Sequence, residues 1–213
     1  MLNKSMLNKS VLAAGIGLLM SAAAAAQAAP ITTPPPTLSA FGDVTAVYIF
    51  ADAADTSILN EVTPSAISPI FCNHSTGGCT AASSGDTMAL FPPSQFGPMV
   101  FSLENVTRST LFTSDAADSD GNYHVLITGD YSDFGVGALP GAAAAALAGL
   151  SGSITFVGWE DKTLGQGSDF DYNDLIFAFA NTRLTTVPEP LTLSLFGAGL
   201  AGAAFMGRRR RKA

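Results

Sequence analysis

The chain has 213 residues, 47% of them hydrophobic and only 13% charged, against roughly 25% charged in an average soluble domain. Its formal net charge of −7 averages two unlike parts, because the cations crowd both ends while the stretch from Ala29 to Val187 holds 16 acids against Arg108, Lys162 and Arg183, a net charge of −13. A body so poor in Lys and Arg cannot neutralise a phosphate backbone, which excludes nucleic-acid binding.

Residues 1–28 read as a signal peptide with a signal helix. Lys4 and Lys9 precede the apolar stretch Val11–Met20, small residues follow, and Ala26-Gln27-Ala28 fits the pattern cut by signal peptidase. Residues 29–40 read as a spacer, since Ile31–Pro36 is rich in Thr and Pro and extended by its prolines. About 160 residues then remain between the two ends, enough for one domain. That domain is expected over residues 41–183.

Short runs of β-branched and aromatic residues, separated by Gly, Asp, Ser and Pro, mark strands at Val44–Phe50, Met99–Leu103, Tyr123–Thr128, Ile154–Trp159 and Leu175–Ala180. Met88–Phe91 and Ser109–Phe112 are weaker instances. No long segment carries a helical apolar period, although the Ala-rich Gly141–Gly149 can form a turn or two of helix. The expected fold is all-β, an antiparallel sandwich of jelly-roll type.

Cys72 and Cys79 are the only cysteines, with Gly77-Gly78 between them to turn the chain. In an exported protein this pair reads as one local disulfide. A metal site from Cys72, His74 and Cys79 is the alternative, and it lacks a fourth ligand. Further on, Asp115, Asp118 and Asp120 precede Gly121-Asn122, and Asp120-Gly121 is a favoured hairpin pair. That stretch reads as a turn, with a second calcium site as the alternative. Asp130-Tyr131-Ser132-Asp133 is similar and weaker.

The densest chemistry lies in Trp159-Glu160-Asp161, the loop Lys162–Ser168, and Asp169-Phe170-Asp171-Tyr172-Asn173-Asp174. Packing these carboxylates together costs Coulomb energy unless a cation compensates. Oxygen donors from Asp, Glu and Asn suit a hard cation such as calcium. In an extended chain Asp169, Asp171 and Asn173 would share one face, with Phe170 and Tyr172 on the other. The spacing opens like an EF-hand loop, but Asp174 stands where that loop needs Gly, so it is not one. The plain alternative is that these acids cap turns.

This stretch resembles a bacterial domain of unknown function found in exported and surface-associated proteins, which shares Glu-Asp, a Gly-rich loop, and Ser-Asp-x-Asp-Tyr-Asn-Asp before an apolar strand. The likeness covers Phe156–Phe179. It implies calcium as the cofactor, with Glu160, Asp161, Asp169, Asp171, Asn173 and Asp174 as ligands, and it implies no catalytic activity.

Enzyme readings find little else. His74 and His124 are the only histidines, and there is neither a Gly-x-Ser-x-Gly elbow nor a His-Glu-x-x-His motif. Glu160 with Asp169 could in principle serve glycoside hydrolysis. A lectin-like carbohydrate-binding module is the stronger rival. Exposure of Trp159 or Tyr172 would favour the lectin, and burial of both a structural role for the ion.

At the C-terminus Val187, Pro188, Glu189 and Pro190 precede the uncharged Leu191–Met206, then Gly207, Arg208, Arg209, Arg210, Arg211 and Lys212. As a helix the apolar stretch would span roughly 24 Å, a little short of a hydrocarbon core, with the Arg cluster held in the cytoplasm. Residues 187–213 resemble the PEP-CTERM sorting signal. That resemblance implies a transmembrane helix, transient anchoring in the inner membrane of a Gram-negative bacterium, and processing by an exosortase. The expected product is a cell-surface or matrix protein whose partners include extracellular polysaccharide.

Overall fold

The computed structural model describes residues 29–185, except residue 65 and residues 91–96. The signal helix expected over 1–28 and the transmembrane helix and Arg cluster expected within 187–213 lie outside the described residues. Among the described residues no helix is long and apolar enough to cross a membrane.

Among the described residues the fold is mostly β and antiparallel, with one α-helix. Its strands are β1 (Thr37–Ala51), β2 (Ser57–Thr63), β3 (Phe71–Cys72), β4 (Thr87–Leu90), β5 (Gly97–Asn105), β6 (Thr110–Thr113), β7 (Val125–Thr128), β8 (Ile154–Trp159) and β9 (Leu175–Thr185); α1 covers Gly141–Ala148. The path through the sheet runs β3-β2-β5-β1-β9-β8-β7, with β4 paired to β1 and β6 to β5.

β1 organises this path. One edge follows β9 from Thr37 opposite Thr185 to Ala51 opposite Leu175, with irregularities between Ala40 and Thr45 and between Tyr48 and Phe50. The other edge changes partner, from β5 over Leu38–Ala40 to β4 over Val44–Val47. A bulge bends a strand and raises its twist, which lets one strand serve both groups of neighbours.

Alternation along the strands then builds two cores. Val157 and Trp159 of β8 and Leu175, Phe177 and Phe179 of β9 join the larger cluster, together with Leu59, Phe101, Leu103 and Phe112 from β2, β5 and β6. Phe156, Ile176 and Ala178, pointing the opposite way, pack with Phe134, Ala143 and Leu147 in the smaller cluster. β9 is consequently buried on both faces from Leu175 to Ala180. That explains its unbroken apolar run, since α1 and the neighbouring loops cover the face that water would otherwise meet.

The strands expected from aromatic and β-branched runs overlap β1 and β4 to β9, although β1 starts seven residues earlier, at Thr37, and β9 continues five residues further, to Thr185. Two strands went unread. β2 points Ser57, Leu59 and Glu61 inward, so polar residues occupy two of its three buried positions and hide the alternation. β3 is two residues long. The boundary of the spacer also moves: Thr37–Ala40 belong to β1, and Ile31 pairs in an isolated bridge with Tyr123.

Cys72 and Cys79 form a disulfide, with their Cα atoms 6.2 Å apart. The loop it closes is short, so the stabilisation expected from restricting the unfolded chain is about 2 kcal/mol. Melting the protein with and without a thiol reductant should show a single transition lowered by several degrees, about 2–4 °C for each kcal/mol in a chain of this size.

Candidate metal centre

β8 and β9 are adjacent antiparallel strands, and Trp159 lies opposite Leu175. The acidic segment 160–174 is therefore the connection that closes this hairpin. Its first residue is pinned beside β7 as well, because Glu160 N donates at 2.9 Å to the carbonyl of His124, the residue before that strand.

Within the loop the carboxylates do most of the bonding. Glu160 is fully buried, and its Oε1 accepts from Tyr172 N at 2.6 Å while its Oε2 accepts from the Ser168 hydroxyl. Asp174 Oδ2 accepts from Asp161 N at 2.9 Å. Asp171 accepts from Asn173 twice, from the backbone N at 3.2 Å and from Nδ2 at 2.5 Å. Phe170 and Tyr172 both sit at φ 56°, a left-handed conformation that costs roughly 1–2 kcal/mol for a side chain with a Cβ. These two turns reproduce the alternation expected of an extended strand by another route: Phe170 and Tyr172 enter the smaller core, and the acids stay toward solvent. The Tyr172 hydroxyl also accepts from Ile31 N at 2.9 Å and donates to the Tyr123 carbonyl at 3.4 Å.

Of the six residues singled out in the sequence, Glu160, Asp169 and Asp171 each bring one carboxylate oxygen to within 4.8 Å of the others. Asp174 adjoins them closely enough to raise the pKa of Glu160 and of Asp171. Asn173 is committed to Asp171. Asp161 faces a different set of neighbours: its Oδ2 accepts from Ser57 Oγ at 3.5 Å, its carbonyl from Asn105 Nδ2 at 2.6 Å, and the Lys162 ammonium lies 3.4 Å from Oδ1. Behind it Asn105 Nδ2 also donates to Asp55 Oδ2 at 3.2 Å, and Asp55 pairs with Arg108. The Asp55–Asn105–Arg108 network escaped the sequence reading, although Arg108 was a signal: one of only three cations in so acidic a body finds a carboxylate partner readily.

Electrostatics set three carboxyls of this segment apart, two of them in the converging group. Burial, and then the charges of Asp174 and Asp169, push the Glu160 carboxyl up to about 7 against the hydrogen bonds of Ser168 and Tyr172. Burial and the neighbouring Asp174 hold Asp161 up as well, and burial raises Asp171. By contrast, burial acts to raise Asp55, but the hydrogen bonds of Arg108 and Asn105 outweigh it and leave that carboxyl below its usual range. Carboxylates raised by burial and mutual repulsion hold their charge at a cost that a bound cation would remove. Lys162 pairs with Asp161, and the donors of the Glu160 group are oxygen alone, as a hard dication requires. The group could hold a metal ion, as could a second one formed by Asp118, Asp120 and His124.

Residues 186–211 match the PEP-CTERM protein-sorting motif. The chain carries an exosortase sorting signal. It is thereby marked for export, for a membrane-anchored stage and for processing by an exosortase before display at the cell surface. The match begins where the described residues end. No curated protein and no solved structure matches the chain.

Proposed function

We propose that the exported body is a non-catalytic surface or exopolysaccharide-matrix protein, a two-layer β-sandwich whose β8–β9 loop takes up calcium. The observation that carries this reading is the convergence of Glu160, Asp169 and Asp171 within 4.8 Å, with one of the three fully buried. The likeness of Phe156–Phe179 to a calcium-associated domain of exported proteins supports the choice of ion. The larger core, drawing side chains from both ends of the sheet path, supports the sandwich. Calcium here would bind loop residues to the end of β8, so that folding and ion uptake are linked.

A lectin-like role draws less support. Trp159 is fully buried and Tyr172 is 1% exposed, so neither offers a ring on which a sugar could stack. Glycoside hydrolysis fares similarly, because a fully buried Glu160 with both oxygens hydrogen-bonded to its own loop is poorly placed to protonate a substrate.

The test is a thermal melt of the full chain in detergent, in chelator and in millimolar calcium. With calcium at a hundredfold excess over its Kd the protein should gain about 2.7 kcal/mol, or about 5–10 °C in Tm. Asp171→Asn and Asp169→Asn should each remove most of that gain. Melting that ignores calcium would defeat the proposal.

A further inference from the structure

We propose that Asp118, Asp120 and His124 form a second metal site, one that takes a transition-metal dication of the zinc class in place of calcium. Each offers one ligand atom, and the three atoms lie within 4.8 Å of one another. The His124 ring is fully buried, and its Nε2 stands 3.2 and 3.1 Å from the two Asp120 oxygens. It is clamped between aromatic rings, with the Phe112 centroid at 4.4 Å and that of Phe170 at 5.7 Å.

The turn alone does not account for this grouping. Asp120 serves the backbone, accepting from Asn122 N at 3.0 Å and from Leu164 N at 2.9 Å. Gly121 N closes the turn on the Asp118 carbonyl at 2.9 Å. None of these three bonds uses the Asp118 carboxylate, whose Oδ2 is sealed from solvent without a hydrogen-bond partner, and His124 Nδ1 is likewise buried and unpartnered. Buried polar atoms normally find partners, and a carboxylate oxygen left without a donor beside a buried imidazole marks the place of a cation. One imidazole with two carboxylates is a mixed nitrogen and oxygen set. Imidazole suits zinc and its neighbours, whereas calcium takes oxygen. The site is distinct from the calcium loop yet touches it, since Leu164 belongs to the 160–174 connection and His124 shares a backbone hydrogen bond with Glu160.

The experiment uses the full chain without a histidine tag and cobalt(II) as the probe. One equivalent should produce the visible absorption of a nitrogen-ligated cobalt ion, and zinc should abolish it. Asp118→Asn, which keeps the shape of a half-buried side chain, should weaken cobalt binding by at least about tenfold, the loss already seen when only an outer-shell partner is removed. Its metal-free melting should stay unchanged. Asp171→Asn should bind cobalt like the parent, which separates this site from the calcium loop whatever becomes of the calcium proposal. An absent spectrum, an undiminished spectrum in Asp118→Asn, or one lost in Asp171→Asn would each overturn the assignment.

Discussion

In chelator, the full chain should grow more stable as the pH falls from about 8 to about 5. Most acidic proteins lose paired carboxylates on acidification and weaken. Here the dominant group behaves oppositely, because Glu160 is raised in the folded state to about 7 from 4.5. A carboxyl whose folded pKa exceeds its unfolded one contributes stability below the unfolded value, and loses it as pH rises through the folded value. At about 1.36 kcal/mol per pKa unit, Glu160 alone corresponds to about 3 kcal/mol across that window. Asp161 and Asp171, also raised, act in the same direction. Asp55 and Asp120 are lowered and oppose the trend only at the acid end, near their own titration. Saturating calcium should flatten the profile, since an ion that needs the carboxylates ionised replaces the proton that otherwise quiets them. Glu160→Gln should flatten it in chelator too. A metal-free Tm that falls steadily from neutral pH would show that Glu160 is ionised at no cost.

The second large effect comes from a residue with no side chain. Gly158 lies one position before Trp159, and a Cβ there would stand 2.3 Å from Phe134 Cε1 and 2.3 Å from the Tyr172 carbonyl oxygen. The phenyl ring could shift, but the Tyr172 carbonyl belongs to a backbone held by Glu160. Gly158→Ala should therefore cost about 3 kcal/mol, the upper part of the range for overpacking a core, and should weaken calcium binding along with it. Urea unfolding measures the first effect, as a lowered midpoint with unchanged slope. Gly135→Ala is a useful contrast, because nothing lies within 4 Å of its Cβ and only its positive φ is at stake.

How legible the molecule was follows from where its free energy comes from. β8 and β9 announced themselves because both of their faces are buried, and burial selects apolar and aromatic residues on both faces, Ile154, Phe156, Val157 and Trp159 in β8 and Leu175 to Ala180 in β9. β2 stayed hidden because its inward positions include Ser57 and Glu61, residues whose placement depends on partners distant in sequence. The acidic loop was visible as a concentration of charge, but its internal division was not. Whether Asp161 joins Glu160 or turns to Lys162 and Ser57 is decided by β2 and β5 arriving from more than fifty residues away. His124 falls inside the strand expected at Tyr123–Thr128, and nothing in that run indicates that the preceding turn brings Asp118 and Asp120 to its ring.

The ladder between β1 and β9 sets a direction for the whole molecule. β9 carries the acidic loop before Leu175 and runs straight into the sorting signal after Thr185. At about 3.4 Å per residue those ends are about 35 Å apart. The sorting signal that tethers the chain thus follows one end of β9, while the acidic loop, with the Ile31 segment fastened to Tyr172, lies at the other.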